Sequence, residues 1–128
     1  MTRSYGISEV GIEHTFSQTE FDRFAQLSGD NNPIHVDAEF AARSRFGRTV
    51  AHGLLLCSKL RALIEQLVPG GRLLDQSVIF EAPTYAGDRM RLSAKVTEKA
   101  GDCVEVEMQV IRISDGVATC TGNGRVLV

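Results

Sequence analysis

Asp30 and His35 stand five positions apart in the stretch Ser28-Gly29-Asp30-Asn31-Asn32-Pro33-Ile34-His35-Val36-Asp37, and Ala51-His52-Gly53 follows, with His52 seventeen residues after His35. A carboxylate and an imidazole held together can take a proton at one atom and deliver one at another near neutral pH. Gly, Asn and Pro break regular structure between them, so both side chains can face one cleft from a loop whose course Pro33 helps fix. That is the makeup of a proton-transfer pair. Each residue also has a plainer reading, Asp30 as a turn cap and His35 as a packed loop histidine. With His52 and Asp37 they could form a metal cluster, since imidazole and carboxylate are common ligands of zinc and iron. The His-x-Asp spacing is not a helical i, i+4 ligand pair, however, and no metal is expected.

Two short helices should hold this loop at its ends. Ser17-Gln18-Thr19-Glu20 has the form of a capping box, and Phe21, Phe24, Ala25 and Ser28 then fall on one face, which predicts a helix that stops at Gly29. Asp37 is placed to cap a second helix carrying Phe40, Ala41 and Ala42 and ending near Gly47. A third and longer helical pattern runs from about Gly53 to Val68, with Leu56, Leu60, Leu63 and Leu67 on one face and Lys59, Glu65 and Gln66 on the other. Pro69-Gly70-Gly71 ends it. Leu54 and Leu55 make its first turn apolar nearly all round, so that end is expected to be buried.

Beyond Arg72 the apolar period changes to two. Val78, Phe80 and Ala82 form one run, Met90, Leu92, Ala94 and Val96 a second, and Val104, Val106, Met108 and Val110 a third. Gly87-Asp88, Gly101-Asp102 and Asp115-Gly116 supply turns, the last suiting a two-residue hairpin into a final strand near 117–128. The pattern is an antiparallel meander with one apolar face, and the long helix is the element able to cover it. The fold class is therefore α+β, with a single domain over residues 1–128.

Composition narrows the partners. A net charge of −2 with interspersed signs gives no footprint for a nucleic-acid backbone. Arg43, Arg45 and Arg48 form the densest basic cluster, read as a solvated helix end with a phosphate-binding role as the alternative. Cys57, Cys103 and Cys120 are odd in number and lack CxxC spacing, which disfavours a disulfide framework or zinc site and fits a reducing, cytoplasmic setting. Cys57 is read as a small buried hydrophobe rather than a catalytic thiol. Residues 1–20 hold no apolar segment of signal-peptide length, and the run Leu54–Cys57 is too short to span a bilayer, so no leader and no membrane are expected.

A long helix wrapped by an antiparallel sheet describes the hot-dog fold, and the chain resembles the MaoC-like, (R)-specific enoyl-CoA hydratase family within it. The resemblance rests on Phe24-Ala25-x-x-Ser28-Gly29-Asp30-x-Asn32-Pro33-Ile34-His35-x-Asp37, on Phe46-Gly47 and Ala51-His52-Gly53-Leu54-Leu55, and on Phe80-x-x-Pro83-x-x-x-Gly87-Asp88. It implies reversible syn addition of water to the 2,3 double bond of a trans-2-enoyl thioester, giving the (R)-3-hydroxyacyl product. Asp30 and His35 would be the catalytic pair, with no cofactor beyond the coenzyme A or acyl carrier protein that forms part of the substrate. The backbone N–H of Gly53, opening the long helix where free amides favour an oxyanion, would stabilise charge on the thioester oxygen, and the missing side chain would let the thioester approach.

Asn32, His52 and Ser58 complete the expected substrate site. Asn32 braces the loop, His52 orients the turn before the helix or acts directly, and Ser58 touches the thioester or bonds back to its own helix. Asp37 is assigned to capping rather than chemistry. Arg61 departs from the pattern, because some relatives carry a small hydroxyl residue facing the site near this position. A hot-dog thioesterase and a non-catalytic acyl-thioester-binding subunit are the competing functions. The exposed edge of a single sheet and the under-covered start of the central helix imply a homodimer or higher homo-oligomer.

Overall fold

The computed structural model describes residues 8–128; part of the leader-free stretch expected over residues 1–20 lies outside the described residues. Strand β1 spans Glu9–Thr15, followed by helices α1 (Gln18–Ser28), α2 (Pro33–Val36), α3 (Ala38–Ala42) and α4 (Gly53–Leu67). Strands β2 (Arg72–Phe80), β3 (Arg89–Ala100), β4 (Cys103–Arg112) and β5 (Ala118–Leu127) complete the chain. All strand pairs are antiparallel, in the order β1-β3-β4-β5-β2. Only β3, β4 and β5 form a meander; β2 crosses to the far edge and pairs with β5.

The alternating residues of the sheet supply one layer of the core and α4 supplies the other. Met90, Leu92, Ala94, Val104, Val106, Met108 and Val110 are buried against Leu56, Leu60, Leu63, Ile64 and Leu67. At about 25 cal/mol per Å² of apolar area, such side chains contribute about 1.5–3 kcal/mol each relative to exposure. The sheet wrapped around α4 is the hot-dog arrangement.

Local chemistry sets the helix ends. Ser17 accepts from the Glu20 amide at 3.2 Å while the Glu20 carboxylate accepts from the Ser17 amide at 3.3 Å, the reciprocal capping box. Gly29, at φ +80°, closes α1 in the left-handed conformation and donates its N–H to the Ala25 carbonyl at 2.9 Å. The Asp37 carboxylate accepts from the Glu39 and Phe40 amides, both at 3.1 Å. Replacing Asp37 with Ala should lower unfolding free energy by about 0.5–2 kcal/mol in a denaturant titration, the cost of a lost N-cap. Turnover should be retained; a collapse of turnover at unchanged stability would move Asp37 into the site.

Several expectations need correction. The loop between Asp30 and His35 contains α2, with Pro33 in its first turn and Asn32 as N-cap. Helix α3 ends at Ala42, capped by Arg43, well before Gly47. The β4–β5 connection covers residues 113–117, with Gly116 at φ +73°, instead of a two-residue hairpin. Strand β2 begins at Arg72 and ends at Phe80, so Ala82 lies outside it. At the start of α4, Leu55 is buried but Leu54 is 70% exposed, because it points away from the sheet.

Candidate active site

The site is assembled between the C-terminus of α1 and the N-terminus of α4. His35, on α2, donates through Nδ1 to the Val50 carbonyl at 2.8 Å. A carbonyl only accepts, so Nδ1 carries the proton, and whenever the ring is neutral it is Nε2 that presents the lone pair. That Nε2 lies 3.8 Å from Oδ2 of Asp30. The separation is too long for a direct hydrogen bond and leaves both groups available to a third. The Asp30 side chain is 56% exposed and His35 13%, so the acid meets solvent while the imidazole is sheltered.

Asp30 is held by its backbone. Its carbonyl accepts from Nε2 of His52 at 2.9 Å, and its amide donates to Oγ of Ser28 at 3.1 Å. His52 is 2% exposed, and its Nδ1 is buried without a partner among the described residues. Burial pushes the His52 imidazole below the ordinary histidine range, with the facing His35 adding to the effect. With Nε2–H donating to the Asp30 carbonyl, Nδ1 is left as an acceptor. The rings of His35 and His52 stack at 3.8 Å between centroids, and the ring of Phe24 lies tilted against that of His52 at 4.9 Å. His52 thus orients the Asp30 loop and supports the ring of His35.

Asp30, His35 and His52 offer donor atoms within 4.8 Å of one another. The two imidazole planes lie 23° apart and stacked, and one nitrogen of each ring is engaged by a carbonyl.

Gly53 opens α4 after an N-cap, His52, that provides no side-chain hydrogen bond. The first turn donates to the His52 carbonyl only from Leu55 and Leu56, which leaves the Gly53 and Leu54 amides without acceptors among the described residues. These are the free donors, at the positive end of the helix dipole, that an oxyanion requires. The turn adjoins a cavity of about 580 Å³ whose lining includes Val50, Ala51, Gly53, Leu56, Phe80 and Pro83. Asp30 and His35 do not line this cavity; the two regions meet along residues 50–53. A Cβ at position 53 would come within 2.7 Å of Cζ of Phe80. The space beside Gly53 is therefore filled by an aromatic ring, a reason for glycine that sequence alone did not show.

The other expected site residues separate. Asn32 accepts from the Ile34 amide at 3.1 Å and braces α2. Ser58 donates to the Leu55 carbonyl at 2.7 Å, bonded back to its own helix and absent from the cavity lining. Arg61 pairs with Glu65 at 3.7 Å across one helical turn. Cys57 and Cys120 both have thiols raised by burial, Cys120 to about 11, consistent with unreactive packing.

Sequence reasoning missed three supports. Gln18 donates to the His35 carbonyl at 2.9 Å and accepts from Thr49 Oγ1 at 2.6 Å, tying α1 to both parts of the site. The Val50 carbonyl sets the His35 tautomer, and the Thr84 carbonyl accepts from the Ala51 amide at 2.8 Å, fixing the turn that leads to Gly53. Backbone partners of this kind leave no mark in residue type. Gln18 had one weak signal, its place inside the capping box.

The fold and the paired residues define the class: a hot-dog protein with an acid and an imidazole set side by side near the amino end of its central helix. The chain belongs to the family described as the MaoC like domain, whose model matches residues 8–118. It is 42% identical over 95 residues to the (R)-specific enoyl-CoA hydratase of Aeromonas caviae, covering 70% of this chain and 71% of that protein. A second (R)-specific enoyl-CoA hydratase, from Rhodospirillum rubrum, is 32% identical over 121 residues, covering 93% of this chain and 78% of its own length. Among solved structures, the (R)-hydratase of A. caviae superposes with a TM-score of 0.86 at 31% identity, covering 94% of this chain and 93% of that one.

Proposed function

We propose that the chain is an (R)-specific enoyl-CoA hydratase, equally a 3-hydroxyacyl-thioester dehydratase in reverse, and thus a hydro-lyase. The observation that carries this reading is the Asp30–His35 pair, 3.8 Å apart, beside the uncapped amino end of α4. Its relatives named (R)-specific enoyl-CoA hydratase support the same reaction.

In the proposed reaction the thioester oxygen accepts hydrogen bonds from the Gly53 amide, which draws electron density from the 2,3 double bond. Water lies between Oδ2 of Asp30 and Nε2 of His35. As its oxygen bonds to C3 it gives a proton to the pair, and the pair delivers a proton to C2 on the same face. The π bond is lost, two σ bonds form, and the site returns to its starting protonation. Asp30 and His35 act as one coupled unit, so the proton inventory belongs to the pair. Addition of water involves no net oxidation or reduction and calls for no cofactor.

The chain acts as a homodimer in this reading. Leu54 and Ile79 are 70% and 66% exposed, Leu74 and Phe80 about half exposed, and β2 is an open sheet edge, so a second copy would cover apolar surface next to the site. Sedimentation should show a dimer at micromolar concentration; a fully active 14.0 kDa monomer would remove this part. A cytoplasmic setting is supported by three free cysteines and by the lack, among the described residues, of a helix long and apolar enough to cross a membrane.

The deciding experiment is hydration of a chain-length series of trans-2-enoyl-CoA substrates with product stereochemistry determined. The expected product is the (R)-3-hydroxyacyl-CoA. Release of free thiol would point instead to a thioesterase, and binding without turnover to an acyl-thioester-binding subunit.

A further inference from the structure

The cavity beside Gly53 has an apolar interior and a charged rim, and the rim carries a cation that the mechanism does not use. Val50, Ala51, Leu56 and Pro83 line its interior, while Arg45 and Glu81 supply the charges. Arg45 belongs to the cluster Arg43, Arg45 and Arg48, which the structure divides. Arg48 pairs with Asp88 at 3.5 Å and stacks on Tyr85 at 4.1 Å, so its charge is engaged. Arg43 caps α3 and does not line the cavity. Arg45 alone combines a place on the cavity wall, an exposed side chain and no carboxylate partner among the described residues. Its guanidinium lies 4.6 Å from the ring centroid of Phe46, another wall residue, which holds the charge at the rim without consuming its N–H donors.

We infer that Arg45 binds a phosphate of the acyl carrier at the mouth of the cavity. This rests on the enoyl-thioester reading above. A thioester placed at Gly53 extends a flexible pantetheine arm outward, and the arm ends in a phosphate in both coenzyme A and acyl carrier protein. An apolar acyl tail gains nothing from a guanidinium, whereas a phosphate meets its planar fork with paired charge-assisted hydrogen bonds. Glu81 does not cancel the site. Its carboxylate is drawn toward β5 by the Thr121 hydroxyl at 2.6 Å, and at an exposed rim its field is screened by salt, while fork contacts are local.

The test compares Arg45→Ala with the wild-type chain on three crotonyl thioesters: coenzyme A, acyl carrier protein, and N-acetylcysteamine, which lacks phosphate. With crotonyl-CoA, Arg45→Ala should raise KM about tenfold at unchanged kcat, the scale of a lost charged hydrogen bond. The N-acetylcysteamine thioester should show no change. A KM effect on both phosphate-bearing substrates assigns the contact to the shared phosphate, and an effect on coenzyme A alone assigns it to the nucleotide phosphates. Arg43→Ala, off the cavity wall, should leave all three substrates unaffected. Identical KM values for Arg45→Ala and wild type on crotonyl-CoA, or equal losses with the phosphate-free thioester, would overturn the inference. A wild-type chain inactive on all three would overturn the hydratase reading. Calorimetric binding of coenzyme A still decides the phosphate contact in that event: it must be about tenfold weaker in Arg45→Ala, and equal affinity overturns it.

Discussion

Asp30→Asn and His35→Ala should each reduce hydration of crotonyl-CoA by at least about a hundredfold while the fold survives, the scale expected for loss of general acid–base assistance. The structure sharpens the expectation. Asp30→Asn keeps the backbone carbonyl that accepts from His52 and removes only the carboxylate facing His35. His35→Ala removes both the lone pair at Nε2 and the ring stacked on His52, so melting temperature must be measured alongside. The double variant should lose much less than the product of the single losses, because the two groups complete one proton cycle. Near wild-type turnover in either folded single variant would sink the assignment.

Gly53→Val should abolish turnover. Two obstacles coincide at this position, and they can be separated. A Cβ would collide with the ring of Phe80, and in the proposed reaction the larger side chain would crowd the thioester at the neighbouring amide. Loss of an oxyanion donor costs about 3–4 kcal/mol of transition-state stabilisation, enough alone to remove most activity. Combining Gly53→Val with Phe80→Ala makes room for the side chain but not for the substrate, so activity should stay absent. Recovery in the double variant would show that glycine is needed only for the ring. A folded Gly53→Ala variant hydrating at the wild-type rate would place the oxyanion donor elsewhere.

The features legible in the sequence were those whose causes are local. Ser17 with Glu20, Gly29 after α1, and Asp37 before α3 each act within one helical turn, so residue type reveals them. The leucine stripe of α4 and the alternation of β3 and β4 repeat often enough to fix a period. Strand β1 was missed because its run Glu9–Thr15 is only half buried at a sheet edge and pairs with β3 through a register far away in sequence, such as Ile12 with Leu92. Helix α2 is too short for periodicity. In the site, Asp30, His35 and His52 were legible as residue types. Their arrangement was not, because it depends on the carbonyls of Val50 and Asp30 and on Phe80, which reaches Gly53 from the end of β2.

The placement of β1 bears on how the site is built in time. Every chemical group lies between β1 and β2, yet β1 finds its partner only in β3 and β2 only in β5, both far away along the chain, at pairs such as Glu13 with Arg91 and Phe80 with Cys120. Loop closure over such spans opposes early formation, so proteins dominated by these pairings fold slowly. The local meander β3–β5 has the shortest closures and offers the template. Strand β1 then brings His14 to Glu20, at 2.8 Å, and Glu20 meets Lys59 of α4 at 3.5 Å, which fastens α1 to both the sheet edge and the central helix. Fraying of β1 would therefore loosen the active loop from a distance, making the sheet edge a determinant of how much of the folded population is competent to react.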